Sequence, residues 1–294
     1  MFAFIISNGR SGSTLVQEVL ARHPDIGFIT NVEDRFRWLP AGAGRFNNAV
    51  YRRVPQALTR KGRLRYAPSE GWGLIGREVS PLLRRSSRDL IEADAHAMGW
   101  ITEAFRRCFE ERARVQRKPI FLHKFTGWPR TGFIQAAFPD ARFINVVRDG
   151  RAVVASDLRV DWWRGWLGAE NLGSGPLPPA YRAEWEASGQ SYPLLAGLSW
   201  KVIMNAYAIA RELVPAEQWL DVRYEDVLAD PQSRFKEMLD FLGLRRLPAF
   251  DATLQRAKIH ASRGDTFRRL LDAPTLALLD QSLGEHLRYW GYEV

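Results

Sequence analysis

Residues 4 to 22, FIISNGRSGSTLVQEVLAR, place an arginine, two glycines and a run of hydroxyl side chains between an apolar segment and helix-like text. Phe4 to Ile6 read as a short buried strand. The loop Ser7 to Thr14 then aims backbone N–H groups at an anion on the N-terminus of the following helix. Gly9 and Gly12 let the backbone approach closely, and Ser13 and Thr14 can cap the helix and offer hydroxyls to the same anion. The nearest common phosphate loop, GxxxxGK[ST], needs a lysine before the final hydroxyl residue. Here Gly12 is followed by Ser13 and Thr14, and the cation comes earlier, at Arg10. The loop is phosphate-binding in style without the letters of an ATPase loop.

A second anion signal lies in mid-chain. Residues 143 to 156, FINVVRDGRAVVAS, read as a strand ending at Arg148, a turn at Asp149 and Gly150, and a helix carrying Ser156. A bidentate guanidinium at the strand end and a hydroxyl on the second helical turn can meet on one phosphate.

The elements that must position these residues alternate strand with helix, which predicts an α/β fold with a central, mainly parallel sheet covered on both faces. The strand candidates are Phe2 to Ser7, Pro119 to His123, Arg142 to Val147 and Trp219 to Arg223. Gly150 to Leu158, Trp200 to Leu213 and Pro231 to Leu242 follow helical spacing. Ligands of such sheets bind beyond the carboxyl ends of the strands, where both anion signals fall. Two segments break the pattern: Arg35 to Gly99, which holds no evident strand, and Val160 to Gly197, which carries Trp162, Trp163, Trp166 and Trp185. They are expected to build lids and acceptor pockets on a single domain spanning 1–294, since no linker-like composition divides the chain.

Composition narrows the partners. The 294 residues carry a net charge of +9, and a pI near 10.0 favours anionic ligands. The arginine runs at 52–65 and 84–88 read equally as solvated faces, so nucleic acid is not expected as a partner. One cysteine, Cys108, excludes an internal disulfide, and the five histidines never approach metal-ligand spacing. No stretch of about 18 uncharged apolar residues occurs, so a soluble, cytoplasmic protein is expected.

GRSGSTL near the start, VVRDGRAVVAS in mid-chain and VRYEDVLADP at 222–231, in that order, resemble the sulfotransferases that use 3′-phosphoadenosine 5′-phosphosulfate, PAPS. VRDGRAxVxS and VRYEDxxxDP are most similar to the tyrosylprotein sulfotransferases and their bacterial relatives. The resemblance implies a P-loop-like, three-layer architecture, PAPS as cofactor and no metal. It implies that Arg10, Ser11, Gly12, Ser13 and Thr14 hold the 5′-phosphosulfate and that Arg148 and Ser156 hold the 3′-phosphate. Tyr224 falls where the family sets a tyrosine against the bound nucleotide, Trp200 matches a tryptophan of the preceding helix, and Arg263 and Gly264, in SRGDTFRR, match a basic-glycine loop closing on the 3′-phosphate.

Sulfuryl transfer needs a base for the acceptor hydroxyl and positive charge for the leaving oxygen. The resemblance implies that Arg10 and Lys124, at the end of IFLHK, supply the charge. For the base it offers Glu33, in a Glu-x-Arg wording offset from the gapless alignment, which lands on Asn31. Asp34 is its close rival, and His123 sits where another branch keeps a histidine. Glu33 is expected ahead of His123. The acceptor is expected to be a carbohydrate or glycolipid, with tryptophans stacking on sugar rings and arginines receiving acidic groups.

Overall fold

The computed structural model describes residues 1–54, 66–257, 259 and 266–294. Its sheet contains β1 (Phe2–Ser7), β2 (Ile26–Gly27), β3 (Ile120–Thr126), β4 (Arg142–Val147) and β5 (Trp219–Arg223), all parallel, in the order β2-β3-β1-β4-β5. The strand interiors are buried, as the apolar runs require of a sheet covered on both faces.

Alternation along the strands divides the core in two. Phe4, Ile6, Phe121, Phe125 and Phe143 pack under the helices Gly99–Gln116, Tyr192–Leu213 and Ala273–Tyr289. Ala3, Ile5, Leu122, Ile144 and Val146 pack on the opposite face, under the helices Ser13–Leu20 and Pro231–Phe241. The result is the expected three-layer α/β arrangement.

Three of the four expected strands have the expected bounds. The fourth, β3, starts at Ile120 and continues past His123, because Lys124, Phe125 and Thr126 keep pairing with Ile5, Ile6 and Ser7. β2 escaped the sequence reading, since a two-residue strand has no periodicity to detect. The segment expected to hold no strand is largely helical, with the helices Asn47–Arg53, Trp72–Glu78, Leu82–Arg85 and Glu92–Ala97. Among the tryptophans of the second irregular segment, Trp185 is buried, while Trp162 and Trp166 are exposed. Among the described residues, no helix is long and apolar enough to cross a membrane.

β1 sits at the centre, with the next two strands, β2 and β3, on one side of it and the last two, β4 and β5, on the other. The crevice at its carboxyl end is the topological switch point of the sheet. Two glycines there seat aromatic rings. Gly12, at φ 81°, begins the helix Ser13–Leu20, and a Cβ on it would lie 2.2 Å from the ring of Tyr224. Gly150 begins the helix Gly150–Asp157, and a Cβ on it would lie 2.9 Å from the ring of Trp200. Replacing Gly150 by Ala must push that ring through a packed core, so Gly150→Ala is expected to lose about 1–3 kcal/mol of stability in a urea titration, whereas an unchanged midpoint would mean that the ring has room to move.

Candidate active site

An open cleft of about 950 Å³ lies over the carboxyl ends of β1, β3 and β4, lined on one side by Gly9, Arg10, Gly12, Ser13, Thr14, Lys124 and Arg148. The loop after β1 is shaped for close approach. Arg10 adopts a left-handed conformation with φ 65°, an uncommon backbone state for a non-glycine residue. Ser7 Oγ donates to Ser13 Oγ at 2.8 Å, tying the two ends of the loop together.

The two anion signals meet on this wall. Arg148 Nη1 donates to the Arg10 carbonyl at 2.9 Å, and Arg10 Nε donates to Ser156 Oγ at 2.8 Å. The Arg148 guanidinium lies 5.2 Å from the ring centre of Tyr224. Behind them, Asp149 caps its helix by accepting from the Arg151 amide, and Arg151 pairs with both Asp149 and Asp280 at 2.7 Å. The Asp149 amide donates to Glu225 of the RYED segment at 3.3 Å, and Tyr292 donates to the same carboxylate. Three segments that are remote in sequence are thus fastened into one wall.

On the β3 side, Lys124 Nζ donates to Thr14 Oγ1 at 2.7 Å and pairs with Glu70 Oε1 at 2.8 Å. Thr126 Oγ1 and Trp72 Nε1 donate to Glu70 Oε2 at 2.8 and 2.5 Å. Burial pushes the Glu70 carboxyl upward, but the charge of Lys124 and the hydrogen bonds from Lys124, Thr126 and Trp72 outweigh it and hold the group below the usual glutamate value. Glu70 escaped the sequence reading because it lies in the segment that shows no strand and carries no motif.

None of the three candidates for the base is among the described residues that line the cleft. Glu33 is 5% exposed and is absent from the cleft wall. Its Oε2 accepts from the Thr30 amide and hydroxyl and from Asn47 Nδ2, a capping box that starts the helix Asn31–Arg35, and Arg112 lies 3.9 Å from its Oε1. Asp34 is also occupied: its Oδ1 accepts from the Leu74 amide and its Oδ2 from Ser69, so it fixes the two flanks of Glu70. His123 is fully buried between Phe109 and Phe125, and burial pushes it down to about 3, which leaves it neutral at ordinary pH. It points to the opposite face of β3 from Lys124, as alternation demands.

Arg10, Gly12, Ser13, Thr14, Lys124 and Arg148 line the cleft, while Ser11 is buried in the loop behind it and Ser156 reaches it through Arg10. Tyr224 and Trp200 are buried beneath Gly12 and Gly150 and do not line the cleft. Arg263 and Gly264 lie outside the described residues. The cleft is also lined by Trp72, Trp128, Trp162, Trp163, Leu172, Ile203, Arg84 and Arg164, with Trp162 reaching Gly9 of the phosphate-style loop. Among the described residues, no group of three or more His, Cys, Asp or Glu is placed to share a metal ion.

Asp157 also faces the cleft, and its Oδ1 has no hydrogen-bond partner among the described residues. Burial pushes its carboxyl up to about 7, against the opposing pull of Arg10 and Arg148. The folded chain therefore keeps this proton at pH values where the unfolded chain, with an ordinary value of 3.8, has released it, so ionisation of Asp157 removes stability as pH rises toward 7. Asp157→Asn is expected to raise the melting temperature at pH 8, with the gain shrinking to nothing near pH 4. A gain independent of pH would contradict this assignment.

The profile of the Sulfotransferase family matches residues 3–248. The ω-hydroxy-β-dihydromenaquinone-9 sulfotransferase Stf3 of Mycobacterium bovis is 24% identical over 184 residues, which cover 60% of this chain and 42% of that protein. The chain thus spans less than half the length of the curated relatives it matches. Among solved structures, sulfotransferase STF9 from Mycobacterium avium superposes with a TM-score of 0.63 at 15% identity, covering 99% of this chain and 77% of that one. Sulfotransferase STF1 from Mycobacterium tuberculosis H37Rv gives 0.52 at 15% identity, covering 91% and 74%, and both likenesses speak to the fold alone. With the family profile running from β1 through the mid-chain wall and the RYED segment, this chain belongs to the Sulfotransferase family.

Proposed function

We propose that the chain transfers a sulfuryl group from PAPS to a hydroxyl acceptor, with one nucleotide held along the wall that runs from the loop after β1 to Arg148. The observation that carries this reading is the direct contact between the two anion-binding segments, Arg148 to the Arg10 carbonyl and Arg10 to Ser156. Two further features fit such a ligand. Ser11 Oγ and Arg148 Nε are buried and have no hydrogen-bond partner among the described residues, and such donors are costly to leave unmade. Gly12 is the second: a Cβ on it would lie 2.2 Å from the Tyr224 ring, so glycine alone lets the loop backbone pack this closely at the floor of the cleft.

In this reading Arg10 and the amides of Ser11 to Thr14 hold the 5′ end of the nucleotide, and Arg148 and Ser156 hold the 3′-phosphate. When bound, PAPS supplies an activated sulfuryl group whose S–O bond to the 5′-phosphate breaks as the acceptor oxygen bonds to sulfur. Lys124, held by Thr14 beside the loop, contributes positive charge toward the oxygen that takes up the bonding electrons. Glu70 accepts the proton of the acceptor hydroxyl, in the role expected of Glu33. Its resting partner is Lys124, so drawing the ammonium toward a bound anion raises the basicity of the carboxylate as it is needed.

The acceptor is proposed to be a hydroxyl on an amphipathic molecule, a glycolipid or a lipid alcohol. The support is the tryptophan-rich wall of the cleft, together with a relative named for a hydroxylated menaquinone. A screen of transfer from labelled PAPS onto glycolipids, lipid alcohols, free glycans and phenols tests this directly.

Two substitutions separate the roles. Glu70→Gln is expected to lower kcat by about 10²–10⁴ while adenosine 3′,5′-bisphosphate binds as before, whereas Glu33→Gln is expected to lose about 1–3 kcal/mol of stability with kcat retained in the folded fraction. Full activity in Glu70→Gln removes Glu70 as the base. Trp162, which is 60% exposed on the cleft rim, is expected on replacement by Ala to raise KM for an amphipathic acceptor several-fold with little change in nucleotide binding. An unchanged KM would remove the tryptophan rim from the acceptor site.

A further inference from the structure

A second concave site lies away from the cleft, past the carboxyl end of the helix Ser13–Leu20, whose amino end faces the cleft. It is a pocket of about 220 Å³ into which Arg22, Arg52, Arg53 and Arg256 converge, with Ala49, Ala249 and Thr253 completing the wall. Among the described residues, no carboxylate lines it, and none of the four arginines has an ion-pair partner.

The floor of the pocket is the unusual part. Arg22 is only 7% exposed, and its Nη1 donates to the carbonyls of Tyr51 and Val54 at 3.1 Å. Its guanidinium lies 4.4 Å from the ring centre of Tyr51, while its Nε and Nη2 have no hydrogen-bond partner among the described residues. A desolvated cation without a counter-charge is unfavourable, and the three neighbouring guanidinium groups add repulsion. Arg53 and Arg256 each spend one donor on a carbonyl of their own helix, at Ala49 and Ala252, which leaves the rest of each fork free.

Helix-end arginines commonly answer the helix dipole, and Arg52, Arg53 and Arg256 do occupy last turns. That role does not account for their convergence over a buried, unneutralised fourth arginine. We infer that this pocket binds a phosphate or sulfate group, as a free anion or as the head of a lipid. Its volume suits such a group rather than a whole nucleotide, and converging guanidinium forks match tetrahedral oxyanions. The inference is independent of the reaction in the cleft, because the two sites share no lining residue.

Arg52 and Arg256 are exposed, so replacing both by Ala leaves the fold intact and tests the site without touching Arg22. Calorimetric titration of the full chain with inorganic pyrophosphate at low salt is expected to show a site that weakens by about tenfold or more for each arginine removed in Arg52→Ala/Arg256→Ala and that persists in Arg148→Ala. In parallel, sedimentation with phosphatidylglycerol vesicles against phosphatidylcholine vesicles identifies the source. Binding of the anionic vesicles that is lost in the double variant assigns a lipid headgroup, and binding of pyrophosphate alone assigns a free anion. Pyrophosphate affinity that is unchanged in the double variant, or that disappears in Arg148→Ala, would overturn the inference, as would the absence of binding to either probe.

Discussion

The cleft depends on the contact between Arg148 and the Arg10 carbonyl, which can exist only because β4 lies directly beside β1. The two strands pair in parallel with Ile6 opposite Asn145, so both end at the same height, and the loop after one faces the arginine after the other. A left-handed Arg10 is a costly backbone state, and it is held by its own side chain on Ser156 and by Arg148 on its carbonyl. Local strain and long-range pairing therefore support each other. Removing either would leave two isolated cationic loops rather than one continuous cationic wall.

The β3 side of the cleft rests on strand alternation. Lys124 and Thr126 emerge on one face and converge on Glu70, while His123 and Phe125 turn into the aromatic core. The flanks of Glu70 are fixed from outside, by Asp34 through Ser69 and Leu74, and the Glu33 cap with Asn47 and Arg112 stabilises the short helix that carries Asp34. Glu33 and Asp34 thus serve Glu70 at a distance.

The scaffold was legible because its signals are local. Apolar runs mark buried strands, and the GRSGST and VRDGRAVVAS segments carry their chemistry in adjacent residues. Parallel pairing and helix coverage follow from those alone. What the text concealed depends on partners remote in sequence. That Glu33 caps a helix depends on Thr30 and Asn47, and that His123 is enclosed depends on the rings of Phe109 and Phe125. The place of Glu70 is set by Lys124 and Thr126, more than fifty positions away in sequence. Tyr224 and Trp200 lie beneath the floor of the cleft through contacts with Gly12 and Gly150 that adjacent residues do not announce.

The central claim is that Arg148 and the loop after β1 hold opposite ends of one nucleotide. Calorimetry on wild type and Arg148→Ala with adenosine 3′,5′-bisphosphate and adenosine 5′-phosphate tests it most directly. The account predicts that the substitution weakens the bisphosphate by about tenfold or more and leaves the monophosphate nearly unchanged, since only the former offers a group to that guanidinium. An equal loss for both ligands, or no loss for either, would contradict it.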